Sequence, residues 1–189
     1  MRVIRHAVSI DERRAFFRQN LFGAPHDPQQ DIKELWFAGV HSDVGGSYPE
    51  PESQLSKIAL QWMVCEAEPA GLKVDQNRKA DILGGKPPYV APDALTTNQH
   101  ESLHGLWWIA EFWPKIVSVE TSPGTWKKRL RMNFGRRRWI APDPVVHTSV
   151  DQRLRDKSLG YEPRNLPAQR LVGHCDTKAK SIEKVVPKE

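Results

Sequence analysis

The sequence predicts an α/β fold, on three observations. Two short apolar runs, residues 2–10 and 32–40, are rich in β-branched and aromatic side chains and stop in charged or glycine-rich chain. A stretch with helical periodicity follows the second run. A third apolar run, residues 145–150, leads into another short helical stretch. Runs of that length read as strands, and amphipathic helices between them supply the layers that cover a sheet.

Taken in order, residues 2–10 are short and β-branched and end at the charged cluster 11–14, which predicts a buried strand. Residues 23–31 collect Gly, Pro, Asp and Gln and predict a loop. Leu35-Trp-Phe-Ala-Gly-Val40 predicts a second strand, running into His41-Ser-Asp-Val-Gly-Gly-Ser-Tyr48, where Gly45 and Gly46 permit backbone paths that other residues resist. From Ser53 as N-cap, Leu55, Ile58, Ala59, Trp62 and Met63 recur on one helical face until Pro69 and Gly71. Residues 73–95 read as a long loop able to cover a cleft. Asn98 with Glu101 three residues on forms a capping-box pattern, predicting a helix with Leu103, Leu106, Trp107 and Ala110 as its stripe and Pro114 as its end. Strand pieces are expected around the basic stretch 129–140, a helix at 151–157 and extended chain at 161–167. Trp36, Trp62 and Trp107 are assigned to the core, and Trp108 and Trp113 to partly exposed positions.

The chain has 189 residues, 39% hydrophobic and 27% charged, with a net charge of +5. That fits one domain with enough apolar material for a core. Residues 1–172 are expected to be folded and 173–189 to form a basic, disordered tail. No apolar stretch approaches the roughly 20 residues of a membrane span, and the charged first residues do not read as a secretion signal. Cys65 and Cys175 lie far apart without CxxC spacing, so neither a disulfide framework nor a zinc knuckle is expected, and a reducing compartment is the default. Residues 127–138 carry Lys127, Lys128, Arg129, Arg131, Arg136, Arg137 and Arg138 with no acid among them. Such a stretch can contact an anionic membrane surface, which makes a non-catalytic module binding anionic surfaces through residues 127–138 a rival function, or it can simply keep an edge strand solvated. No nucleic-acid module motif accompanies it, so no specific nucleic-acid partner is expected.

Asp43 follows a predicted strand and His147 a later one, the order in which an α/β-hydrolase supplies acid and then base. The acid must hold the imidazole in one tautomer and stabilise the imidazolium. Ser42 and Ser47 flank Asp43, but no Gly-x-Ser-x-Gly elbow occurs in these 189 residues, and both serines read as structural. His100-Glu-Ser-Leu-His104 matches His-Glu-x-x-His, which on a helix would offer two imidazoles to zinc. No third ligand follows at the required spacing, so zinc through His100 and His104 is the minority alternative and no cofactor is assigned.

Arg5-His-Ala-Val-Ser-Ile-Asp-Glu-Arg-Arg14, Leu35-Trp-Phe-Ala-Gly-Val-His-Ser-Asp-Val-Gly-Gly-Ser-Tyr-Pro49, Leu106-Trp-Trp-Ile-Ala-Glu-Phe112, Val146-His-Thr-Ser-Val150 and Tyr161-Glu-Pro-Arg-Asn-Leu-Pro167 together resemble one family. It is the uncharacterised α/β-hydrolase-domain family that includes the catalytic domains of type VI secretion phospholipase effectors. The resemblance implies the C-terminal half of a Rossmann-like, three-layer serine hydrolase domain whose nucleophile elbow precedes the first block. It implies a lipid or ester substrate, a chain carrying the N-terminal half as partner, and bacterial cytoplasmic synthesis with type VI delivery. Asp43 and His147 fall on blocks where the triad acid and base are expected, with Asp11 and His41 as alternatives. A His-Asp/Glu-Ser-Leu block belongs ahead of the Trp-Trp helix, so residues 100–103 fit that block and the zinc match reads as coincidence. This chain alone is expected to be inactive.

Overall fold

The computed structural model describes residues 2–17, 20–23, 27–122, 125–175 and 183–185. Strands β1 (Val3–Ser9) and β2 (Asp31–Phe37) pair in parallel from Val3 opposite Asp31 to Ser9 opposite Phe37. β2 leads into the short helix α1 (His41–Gly45) and, past a 3-10 turn at Glu50–Glu52, into α2 (Gln54–Ala67). Next come α3 (Gln76–Leu83), α4 (Trp107–Phe112) and the antiparallel hairpin β3 (Lys115–Ser122) and β4 (Thr125–Arg131). The chain then returns through β5 (Val145–His147), α5 (Thr148–Arg155), β6 (Arg170–Gly173) and β7 (Glu183–Val185).

The main sheet runs β1-β2-β5-β6-β7, with the first four strands parallel and β7 antiparallel. Alternation along β2 divides the core between the two faces. Trp36 and Ala38 pack with Val8, Ile10, Val146, Val150 and Val172. Leu35 and Phe37 pack with Val44 and with Leu55, Ile58, Ala59 and Trp62 of α2. A parallel sheet buried on both faces follows, as its near-continuous apolar strands require. β1 forms one edge of the sheet, with Val3 exposed. Among the described residues, no helix is long and apolar enough to cross a membrane.

Several expectations change. The loop expected over residues 73–95 contains α3, which buries none of its residues and so has no apolar stripe to betray it; Asp75 caps it by accepting the Arg78 N–H. The helix expected from Asn98 begins only at Trp107. The intervening segment stays irregular because its groups bond elsewhere: the Ser102 hydroxyl accepts the Arg13 N–H, and Glu101 reaches Arg13 and the Leu103 N–H rather than closing a capping box with Asn98. Ser53 starts α2 without a side-chain cap, its hydroxyl donating to the Glu50 carbonyl. Trp36 and Trp62 are core residues, whereas Trp107 is half-buried.

Cys65 and Cys175 are joined by a disulfide, their Cα atoms 6.2 Å apart, contrary to the expectation of no bridge. The two are 110 residues apart in sequence, and they meet where Cys175 packs against the apolar cluster that α2 shares with β2. In the stretch expected to be a tail, β6 ends at Gly173 and Glu183–Val185 pairs with it as β7. Residues 176–182 and 186–189 lie outside the described residues.

Candidate active site

The carboxyl ends of parallel strands are where open α/β sheets place ligands, because the loops there diverge to leave a crevice. Here that end gathers Asp11 and Glu12 after β1, Asp43 after β2, and the 94–100 segment crossing above them. Asp43 sits in the first turn of α1 and reaches back to accept the Val40 N–H at 2.9 Å. The same oxygen, Oδ2, accepts the His100 N–H at 3.2 Å, and Oδ1 lies 2.7 Å from His100 Nδ1. The Asp43 side chain is fully enclosed, while His100 keeps partial access to solvent. His100 Nε2 meets the half-exposed Glu52 carboxylate at 3.0 Å, and the ring stacks on Tyr48 at 3.4 Å between centroids. Burial pushes the His100 pKa down, but the hydrogen bonds to Asp43 and Glu52 together raise it above its ordinary value.

The structure therefore joins Asp43 to His100 and not to His147. His147 ends β5, stacks on Phe37 at 4.8 Å, and turns Nδ1 onto the N–H and hydroxyl of Ser149, which caps α5. Burial, with a smaller contribution from His174, lowers its pKa to about 4, so the ring is a neutral cap. His41 packs against Phe17, and burial followed by Arg138 lowers its pKa.

Asp11 faces no imidazole. Its Oδ2 accepts from the Gly39 N–H at 2.7 Å, the Tyr161 hydroxyl at 2.9 Å and Gln99 Nε2 at 3.2 Å. Burial raises its pKa to about 6 against the pull of those bonds and of Arg137. Gly39 has φ +102°, and a Cβ there would strike the Asp43 side chain. Only glycine fits this turn, whose N–H and carbonyl both engage Asp11.

Glu12 is fully buried and accepts from the Arg13, Arg14 and His41 N–H groups and from the Arg14 guanidinium. Burial opposes its charge, but these bonds prevail and hold its pKa at about 2. Arg153 of α5 is also buried, and its guanidinium binds the Ala94 and Thr96 carbonyls and the Gln99 side chain. It thereby fixes the segment that ends in His100. A cavity of about 460 Å³ adjoins the imidazole, lined in part by Asp11, Gln99, Arg137, Arg153 and Tyr161.

His100 and His104 do not share a helical face, since helix begins only at Trp107, and both His100 ring nitrogens are engaged by carboxylates. The zinc alternative loses its geometric basis. Among the described residues no group of three His, Cys, Asp or Glu is arranged to hold a metal. Sequence reasoning gave His100 to that alternative and did not single out Glu12, Tyr48, Glu52 or Arg153. The usable signal was the His-Asp/Glu-Ser-Leu block, which marks residues 100–103 as special without supplying a partner.

A mixed α/β sheet with an Asp–His pair at its carboxyl end is an arrangement compatible with acid–base chemistry. Residues 1–66, which include β1, β2, Asp43 and most of α2, match the family described as T6SS, Phospholipase effector Tle1-like, catalytic domain. Over 46 residues the chain is 46% identical to a protein of Saccharomyces cerevisiae described as uncharacterized; the alignment takes in 23% of this chain and 7% of that protein. No solved structure matches.

Proposed function

We propose that this chain is the acid–base portion of a serine lipid-ester hydrolase of the α/β-hydrolase type, with Asp43 as acid and His100 as base. The observation that carries this reading is the polarity of the pair: the carboxylate holds Nδ1 at 2.7 Å and leaves Nε2 on the solvent side. A triad needs that arrangement, the acid fixing the tautomer at one nitrogen while the other takes the proton of a serine hydroxyl. Glu52, on Nε2 here, would give way to the nucleophile. The phospholipase description of the family matching residues 1–66 favours a phospholipid ester as substrate.

The serine comes from outside residues 1–189, which contain no Gly-x-Ser-x-Gly. On this reading residues 1–172 are the C-terminal portion of a larger domain, and β1, an open sheet edge, is where a further strand would join. A cavity of about 750 Å³, lined in part by Ala7, Ser9, His41, Tyr48 and Lys57, lies beside that edge. Type VI delivery fits the family description, and the Cys65–Cys175 bridge favours action in an oxidising compartment over the cytoplasm.

Fluorophosphonate labelling and ester hydrolysis test the proposal. The chain alone is expected to show neither. Co-expression with the polypeptide encoded immediately upstream is expected to restore both, with turnover lost in His100→Ala and kept in His147→Gln. Turnover that survives His100→Ala and is lost in His147→Gln would overturn the assignment.

A further inference from the structure

Helix α4 is inverted. Its one buried residue is Glu111, while Leu106 just before it, Ile109 within it and Trp113 just after it are 81%, 68% and 75% exposed. The inversion is anchored: Glu111 accepts the Ala15 N–H at 2.9 Å, Asn133 Nδ2 at 2.5 Å and the Gly135 N–H at 3.3 Å. A soluble helix normally turns its apolar stripe inward. Here a carboxylate clamps the inner side and the apolar side chains face out.

The exposed surface continues beyond the helix. Phe112 meets Phe134 edge-on at 5.5 Å. In the hairpin Ile116 stands opposite Leu130, and both are exposed. A two-stranded hairpin of this kind is marginal in water without cover. Lys128 lies two residues from Leu130 on the same face of β4, and Lys127, Arg129 and Arg136 are also exposed, with no acid in residues 125–142.

We propose that the outward face of α4 and the β3–β4 hairpin form a lipid-docking surface that seats on anionic bilayers. Apolar side chains enter the headgroup boundary, tryptophan suits that boundary, and lysine and arginine meet anionic headgroups. The charge pattern decides against a protein occupant, because protein interfaces are depleted in lysine. The surface is coupled to the site: Arg13 lies over Trp108, Arg14 lies over Trp107 while paired with Glu12, and His100 precedes the helix on the same segment. Docking here would bring lipid esters to His100, so the proposal deepens the lipid-ester reading while resting on separate residues.

Co-sedimentation with vesicles tests it without turnover. The intact chain is expected to partition onto phosphatidylglycerol–phosphatidylcholine vesicles on the order of tenfold more strongly than onto pure phosphatidylcholine, with the preference weakening in salt. The Leu106→Glu/Ile109→Glu double variant and, independently, Leu130→Glu should each lower binding about tenfold or more with unchanged circular dichroism. His100→Ala should bind as the parent does, which separates docking from the acid–base assignment. Absence of the parent chain from both vesicle pellets would overturn the proposal, as would variants that bind undiminished. A parent dimer in size exclusion that the same substitutions convert to monomer would overturn it too, by showing a second copy on this face.

Discussion

Replacing Asp43 by asparagine tests the pairing most directly. The enclosed carboxylate accepts three hydrogen bonds, from the Val40 N–H, the His100 N–H and His100 Nδ1. The amide retains one acceptor oxygen and sets an NH₂ against the remaining donors, so one or two bonds to a charged group are lost at about 1.5–3 kcal/mol each. A loss of about 3 kcal/mol, or about 6–12 °C in Tm for a chain of this length, is expected by calorimetry. The folded protein holds the His100 proton more tightly than the unfolded chain does, since the folded pKa is raised above 6.5. That contribution is complete below the unfolded value and fades as pH rises through the raised folded value. Asp43→Asn should therefore cost more at pH 5.5 than at pH 9. Its His100 titration, followed by NMR, should move to lower pH while His147 stays put. An unmoved His100 midpoint together with a shifted His147 would refute the assignment.

His147, with its pKa lowered to about 4 from 6.5, contributes stability that is whole above pH 6.5 and is lost as pH falls toward 4. Against His147→Phe in urea titrations, the parent's advantage should shrink by on the order of 3 kcal/mol between pH 7 and pH 4; a constant difference would contradict the buried neutral cap. Glu12→Gln strips the buried partner from Arg14 and should cost about 3–5 kcal/mol in the same titration at pH 7. Native protein should show no reactive thiol toward Ellman's reagent, and reduction of the Cys65–Cys175 bridge should cost up to about 4 kcal/mol through its long closed loop.

What could be read from sequence was local. β1, β2 and α2 were legible because each carries its pattern within a few residues: β-branched runs for the strands and the Leu55-Ile58-Ala59-Trp62 face for the helix. The position of Asp43 just beyond β2 was legible, because an apolar run ending in glycine-rich chain marks a strand end. Its partner was not. His100 lies 57 residues away, on a segment whose position depends on Arg153 holding the Ala94 and Thr96 carbonyls, and no spacing encodes that. Local pattern also misled at residues 98–106, where a capping box and an apolar stripe predict helix. Side-chain bonds to Arg13 and Asp43 outcompete the intrahelical ladder there. α4 was legible as helix, but its facing was not: the expected stripe leaves Leu106 exposed, and the residue it buries is the charged Glu111.

The turn at Gly39 limits how the site can change over time. Its N–H and carbonyl hold Asp11, and the space that a Cβ would take is occupied by Asp43. Any replacement at position 39 displaces the Asp43 carboxylate before position 43 itself has mutated, so a one-step path through alanine passes by way of a damaged intermediate. Positions 11, 39 and 43 consequently form a block that drifts in concert or stays fixed. A designer moving the Asp43–His100 pair to another sheet must carry the glycine turn and its second carboxylate along with it.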